Sequence, residues 1–245
     1  MIVESTILVP TLEDAATLGP TLEELNRIVV ATGVATEVIV VDAGSEDGTL
    51  AVSSEMADRL PLLHMRILVT DRQLSGFGRL VRLGLAYAQG HHCFIVMPDA
   101  RDPLGVLPDM LGALRRGTHL VLCSRFEDKA GERALPSRFR LYQRLYRRAI
   151  RAVLREDIPD STYGFRGFNR TFMLALGLTA QSFAVCPEIT FKVLLAGGDV
   201  QRVPGVPTGP MLETQGKFRL RNELGSYVLV LARAGLHKRG WLRRF

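Results

Sequence analysis

Three short stretches put charged side chains where a strand is expected to end. In the first, Glu37 to Thr49 (E-V-I-V-V-D-A-G-S-E-D-G-T), an apolar β-branched run from Val38 to Val41 gives way at Asp42 to a turn containing Gly44, Ser45, Asp47 and Gly48. Such a run suits a strand buried on both faces. In an open α/β sheet, ligands bind in the crevice beyond the carboxyl ends of the strands. The second stretch repeats the pattern, because the apolar run Cys93 to Met97 leads into Pro98, Asp99, Ala100, Arg101, Asp102 and Pro103. Carboxylates at neighbouring strand ends can hold a hard divalent cation such as Mg2+ or Mn2+, which takes oxygen ligands and bridges to substrate phosphates. In the third, His119 to Cys123 ends in Ser124-Arg125-Phe126, setting a guanidinium beside the acids, fit for a phosphate or for a structural ion pair. Simpler roles compete for the acids. Ser45 and Asp47 can cap the following helix, and Asp102 before Pro103 can be the N-cap of a helix through Leu107 to Leu114.

These groups need a scaffold of alternating strands and helices. Ser5 to Pro10 is expected as a buried strand. Thr21 to Thr32 has helical period, with Leu22, Leu25, Ile28 and Val29 on one face and a capping box from Thr21 to Glu24. The strand at Val38 follows, then a helix to about Arg59 and a strand around Met65 to Val69. This β-α-β-α-β alternation predicts an α/β fold, a mostly parallel sheet with helices on both faces. Ser75 to Gly90 opens with Gly76 and Gly78 and continues as a helix carrying Gly84, Ala86 and Ala88, small enough to lie close against another backbone.

Beyond Phe139, Tyr142, Leu145, Tyr146, Ala149, Ile150 and Val153 alternate with six arginines between Arg140 and Arg155, giving an amphipathic helix with a basic face. It suits a membrane interface, an anionic groove, or an ordinary core with a basic outer side. Asp160 to Arg166 (D-S-T-Y-G-F-R) resumes the core, and helical segments follow at Arg170 to Leu176 and Pro187 to Leu195, the latter with Glu188 near its start. A last strand, Asp199 to Val206, leads through a Gly/Pro loop to Lys217, Arg219 and Arg221. An apolar helix, Glu223 to Leu236, ends in a tail that mixes Lys238, Arg239, Arg243 and Arg244 with Trp241 and Phe245.

The 245 residues, 47% of them hydrophobic, suffice for a sizeable core. No apolar window reaches the length of a spanning helix and no basic leader precedes the first apolar run, so neither a membrane span nor a cleaved signal is expected. Three scattered cysteines, Cys93, Cys123 and Cys186, fit reduced thiols in a cytoplasmic protein. The net charge of +6, clustered at Arg133 to Arg155 and beyond Arg219, points to an anionic partner: nucleic acid, a membrane surface or a phosphorylated substrate.

In this order the motifs resemble the family 2 glycosyltransferases of the GT-A fold, most nearly those like dolichol-phosphate mannose synthase. Pro10-Thr11-Leu12-Glu13-Asp14 stands for the family's P-x-x-N-E, and Val41 to Thr49 for V-D-D-x-S-x-D-G-T. Gly76, Gly78, Gly84, Ala88 and Gly90 match G-x-G-x-A-x-x-x-G. Ser124-Arg125-Phe126 matches S-R-Y, and Asp160 to Arg166 matches D-x-T-S-G-F-R. There are departures. Ala43 stands at the second acid of V-D-D, the D-x-D strand end reads Met97-Pro98-Asp99-Ala100-Arg101-Asp102-Pro103, and R-x-x-G-x-S-K is reduced to Thr214-Gln215-Gly216-Lys217.

The resemblance implies an inverting enzyme that moves a sugar from a GDP- or UDP-linked donor to a polyprenyl phosphate, peripherally associated with the inner face of the membrane. It implies a catalytic domain over 1–217 and a basic amphipathic appendage over 218–245. Pro10, Leu12, Glu13, Asp42, Gly76, Ala100 and Lys217 would bind the nucleotide, with Lys217 on the diphosphate. Asp99 and Asp102 would hold Mg2+ or Mn2+, with Arg101 supplying part of the positive charge if the metal is held weakly. Arg125 and Arg138 would hold the acceptor phosphate, and Glu188 would lie on the acceptor side. Two other readings stay open: a soluble family 2 enzyme acting on a small or saccharide acceptor, with Glu188 or Asp102 as base, and a non-catalytic nucleotide- or nucleic-acid-binding protein built on the same fold.

Overall fold

A computed structural model describes residues 3–127, 132–133, 135–207, 220–243 and 245. Its centre is a seven-stranded sheet of order β3-β2-β1-β4-β6-β5-β7. The strands are β1 (Ser5–Thr11), β2 (Thr36–Asp42), β3 (Arg66–Val69), β4 (His92–Ile95), β5 (Leu120–Ser124), β6 (Arg166–Asn169) and β7 (Val200–Pro204). All are parallel except β6, which runs antiparallel between β4 and β5. The sequence pattern does not reveal β6 as a strand. R-G-F-N is only four residues long, and its Gly167 accepts the Phe94 ring at a place where a Cβ would lie 2.5 Å from it.

Side chains along β1 alternate between two cores. Leu8 packs with α3 (Phe77–Tyr87), α5 (Ser137–Leu154), α7 (Val185–Leu195) and α8 (Leu220–Lys238), whereas Ile7 and Val9 pack with α1 (Ala15–Thr32) and α4 (Leu107–Arg115). Helices α2 (Thr49–Arg59) and α6 (Arg170–Leu176) complete the described helical layers. Helix α8 buries Tyr227, Val230, Leu231 and Ala234 in the first of these cores. Its long contacts with α5 and α7 make it part of the packed body.

Helix α1 begins at Ala15, six residues before the expected capping box, and carries Pro20 inside it. The box does not form, because the helix start is satisfied from outside. Ala15 N donates to Asp47 Oδ2 at 3.0 Å, and Asp14 N to Thr49 Oγ1 at 2.8 Å. The Thr21 hydroxyl is spent instead on Thr17 O at 3.0 Å and on Pro98 O at 3.2 Å, across the sheet edge.

Candidate active site

The strand order reverses at β1, with β2 on one side and β4 on the other, and a cavity of about 320 Å3 opens at the carboxyl ends of these strands. This is where an open parallel sheet leaves a crevice. One part of the wall is polar and comes from the strand ends: Asp14, Asp99, Arg101 and Asp102. Another is apolar: Phe77 and Leu80 of α3, Leu135, Phe139 of α5 and Phe183. Phe77 and Phe183 stack with centroids 4.4 Å apart. Because β6 runs backwards, the stretch Asp160 to Arg166 enters at the same edge and adds Thr162, Tyr163 and Gly164.

Of the residues expected to bind or react, Pro10, Leu12, Gly76, Asp99, Asp102 and Arg125 line the cavity. Asp42 lies behind it. Its carboxylate is completely buried and accepts from Ser45 N at 2.7 Å, Ser45 Oγ at 2.6 Å and Thr11 Oγ1 at 2.9 Å. Ser45 Oγ in turn accepts from Glu13 N at 2.8 Å, while Glu13 Oε1 accepts from Glu46 N and Arg72 Nη1, both at 2.9 Å. The first acidic turn is therefore a clamp between the β1 and β2 exits. It holds Glu13 at a φ of 54°, a left-handed conformation that non-glycine residues rarely adopt. Ala43, fully buried, forms cavity wall where the family pattern carries an acid.

At the second acidic turn Ala100, exposed, also has a left-handed φ of 55°, and its N–H donates to Thr21 Oγ1 at 3.1 Å. The turn directs Asp99 and Arg101 into the cavity. Burial pushes the Asp99 carboxyl above its ordinary value, the Arg101 charge opposes this, and the charge of Asp14 adds to it. Asp102 does not cap the helix that follows. Its Oδ2 accepts from Met97 N and its Oδ1 from the Tyr163 hydroxyl, each at 2.7 Å. Burial is the main reason its pKa is pushed up to about 7, against the pull of the Met97 N–H and with the push of the Asp99 charge.

Arg125 forms a bidentate pair with Asp160, Nε to Oδ2 at 2.7 Å and Nη2 to Oδ1 at 2.9 Å, with both side chains buried. Its guanidinium lies over the Phe139 ring at 5.4 Å and the Tyr163 ring at 4.3 Å. Burial works against this charge, but Asp160 outweighs it and holds the Arg125 pKa above its ordinary value. The structural alternative for Arg125 is thus realised in its geometry. Arg166, also completely buried, donates to the carbonyls of Ser161, Tyr163 and Cys186 and so ties the loop to α7.

Glu188 does not line the cavity. It accepts from Thr179 N at 2.8 Å, Thr179 Oγ1 at 2.7 Å and Ala180 N at 2.7 Å, and pairs with Lys192 at 3.1 Å. Arg138 is exposed in the first turn of α5 and does not line the cavity, and Lys217 lies outside the described residues.

Several wall residues escape a reading of the chain. Tyr163 sits inside a motif that was visible, and Asp14 follows Glu13 directly. Ser182 and Phe183 belong to a segment with no pattern of its own, and Glu223 stands at the start of the expected apolar helix with nothing to mark it as a wall residue. Ser182 Oγ donates to Glu223 Oε2 at 2.6 Å, which joins the α7 approach to the first turn of α8.

A family model described as Glycosyl transferase family 2 matches residues 6–176. The chain is 22% identical over 223 residues to dolichol-phosphate mannosyltransferase of Pyrococcus furiosus, covering 89% of this chain and 59% of that protein. It is 26% identical over 175 residues to polyprenol monophosphomannose synthase of Mycolicibacterium smegmatis, covering 68% and 64%. The chain spans about three fifths of the length of the curated relatives it matches. Among solved structures, mannosyl-3-phosphoglycerate synthase from Rubrobacter xylanophilus is similar with a TM-score of 0.70 at 19% identity, over 99% of this chain and 77% of that one. Glucosyl-3-phosphoglycerate synthase from Mycobacterium tuberculosis, solved with Mn2+, uridine diphosphate and phosphoglyceric acid, gives 0.67 at 18% identity, over 97% and 78%. At these identities the likeness establishes the shared GT-A fold.

Proposed function

The chain belongs to glycosyl transferase family 2, and on that premise we propose that it transfers a sugar from a GDP- or UDP-linked donor to a polyprenyl phosphate, with inversion at the anomeric carbon. The observation that carries this reading is the mixed wall of the cavity, charged from the strand ends and aromatic from α3, α5 and Phe183. A charged headgroup and a prenyl chain need both kinds of surface side by side. A phosphate acceptor is anionic at neutral pH, so catalysis rests on positioning and on stabilising the departing diphosphate rather than on a strong base.

Pro10, Leu12 and Gly76 form the donor wall, while Asp42, Glu13 and Ala100 hold the backbone of the two turns behind it. Lys217, which lies outside the described residues, keeps the diphosphate role that the resemblance implies. Arg125, its fork filled by Asp160, orients Tyr163, and the exposed Arg138 is the cation offered to the acceptor phosphate. Glu188 acts at a distance, by fixing Thr179 and Ala180 against the start of α3.

The divalent cation implied by the resemblance fits this donor set poorly. Asp102 spends both carboxylate oxygens on Met97 N and Tyr163, and Asp14 Oδ2 accepts from Leu12 N at 2.9 Å. Among the described residues no group of three His, Cys, Asp or Glu could hold a metal ion with protein ligands alone.

Peripheral association with the inner face of the membrane draws support from exposed apolar residues on the paired helices α5 and α8. Leu141, Leu145, Val228 and Leu229 are exposed, the first two on a helix rich in arginine, and no helix of the described residues is long and apolar enough to cross a membrane. A second reading, transfer to a small soluble acceptor, draws support from the solved neighbours, which are named as phosphoglycerate synthases.

The test is sugar transfer from UDP- and GDP-sugars to a short-chain polyprenyl phosphate and to soluble phosphorylated acceptors, with and without lipid. Lipid-dependent product on the prenyl phosphate supports the first reading. Product on a soluble acceptor, indifferent to lipid, supports the second. Absence of turnover by a folded protein that still binds nucleoside diphosphate would leave a non-catalytic binder.

A further inference from the structure

We propose that Arg101 occupies the place of the second carboxylate of the D-x-D turn and itself neutralises the donor's diphosphate, so that nucleotide binding by this chain does not depend on a divalent cation. The proposal rests on the nucleotide-sugar reading above and concerns how the diphosphate is held.

Two placements of a D-x-D motif are available in Asp99-Ala100-Arg101-Asp102. If Asp102 were the second acid, its carboxylate would have to open toward the cavity. Asp102 does line the cavity, but it is 6% exposed, with one oxygen on the Met97 amide and the other on the Tyr163 hydroxyl. If Asp99 is the first acid, the second position is Arg101, and both of these side chains line the cavity.

The backbone favours this placement. Thr21 grips the turn from both sides, donating to Pro98 O at 3.2 Å and accepting from Ala100 N at 3.1 Å. Asp99 Oδ1 accepts from Arg101 N at 3.3 Å. The left-handed φ of 55° at Ala100 is thereby held in place, and the residues before and after it face the same crevice.

The electrostatics agree. A metal ion beside Asp99 would also sit beside the Arg101 guanidinium, whose charge already acts on that carboxylate. Two cations competing for one carboxylate repel each other strongly in a partly buried site. A guanidinium meets phosphate oxygens with a planar fork and needs no coordination shell. Replacement of the other family acid by Ala43, buried in the same wall, removes a further carboxylate from the crevice. An arginine and a missing acid both lower the demand for metal and raise the affinity for an anion.

Calorimetric titration of UDP and GDP into the full chain, in EDTA and in MnCl2, tests this together with Mn2+ binding followed by electron paramagnetic resonance. The unchanged protein should bind one nucleoside diphosphate with an affinity that Mn2+ alters by less than about threefold, and Arg101→Gln should weaken it about tenfold. Arg101→Asp should bind Mn2+ where the unchanged protein does not, and should bind nucleotide only with the metal present. Tight Mn2+ binding by the unchanged protein, nucleotide affinity that needs Mn2+, or a silent Arg101→Gln would overturn the proposal while leaving the donor reading intact. Failure of every nucleoside diphosphate to bind, with or without metal, would overturn the donor reading and this proposal with it.

Discussion

The Tyr163 hydroxyl donates to Asp102 Oδ1 at 2.7 Å, joining the loop that enters β6 to the second acidic turn. The contact is buried, so Tyr163→Phe leaves a carboxyl oxygen without its donor. A loss of about 1 to 3 kcal/mol in unfolding free energy is expected, the usual cost of an unsatisfied buried acceptor. Urea denaturation of the two proteins measures it, and an unchanged midpoint would show that Asp102 is stabilised by other means.

Asp102 also makes stability depend on pH. Its pKa is about 7 in the folded chain against an ordinary 3.8, so the folded state holds this proton more tightly than the unfolded state. That contribution is complete below about pH 4 and is lost as pH rises through about 7. Asp102→Asn, which cannot ionise, should therefore gain on the unchanged protein between pH 5 and pH 8, by up to about 3 kcal/mol. Parallel stability profiles for the two proteins across that window would contradict the assignment.

The Arg125 and Asp160 pair is buried from both sides, and removing either partner strands the other charge. Arg125→Met is expected to cost about 3 to 5 kcal/mol, and the double variant Arg125→Met with Asp160→Leu to recover much of that loss. Denaturation of the three variants gives the comparison. A double variant no more stable than the single one would mean that the fork does more than neutralise Asp160.

Helix α3 starts hard against the loop that Glu188 holds. A Cβ on Gly78 would lie 2.3 Å from Ala180 O and 2.9 Å from Ser182 O, both backbone atoms, whereas a Cβ on Gly105 meets nothing within 4 Å. Gly78→Ala should lose about 1 to 3 kcal/mol through forced backbone movement, and Gly105→Ala should be near neutral. Thermal melts of both variants check the contrast, and equal melting temperatures would refute it.

The surface of α5 and α8 offers Leu145 at 53% exposure, on an arginine-rich helix, and Val228 at 57%. Leu145→Asp together with Val228→Asp should reduce co-sedimentation with anionic vesicles while leaving the melting temperature within a degree or two. Replacing Arg144, Arg147 and Arg148 by Gln should cost at most about 1 kcal/mol of vesicle affinity per arginine. The loss should be smaller at Arg144 and Arg147, already paired with Glu132 and Asp157. Unchanged sedimentation of both variants would remove the membrane from this face.

The sequence by itself determined the alternation of strands and helices, the two acidic strand ends and the order of motifs that places the chain in its family. These features are local. A buried strand needs a short apolar β-branched run, and a turn needs small or capping residues, so each can be read without knowing its neighbours. The tertiary structure alone decided what each charged group does, because that depends on partners far along the chain. Asp42 is drawn into a clamp by Thr11 and Ser45, and Asp102 turns to Tyr163, 61 residues on. Arg125 is claimed by Asp160, and Glu188 by the amides of Thr179 and Ala180. Burial sets the rule that a charge in the interior must find hydrogen-bonding partners. Only the antiparallel insertion of β6, invisible in four residues of sequence, brought the partners Asp160 and Tyr163 to the same sheet edge as the acids.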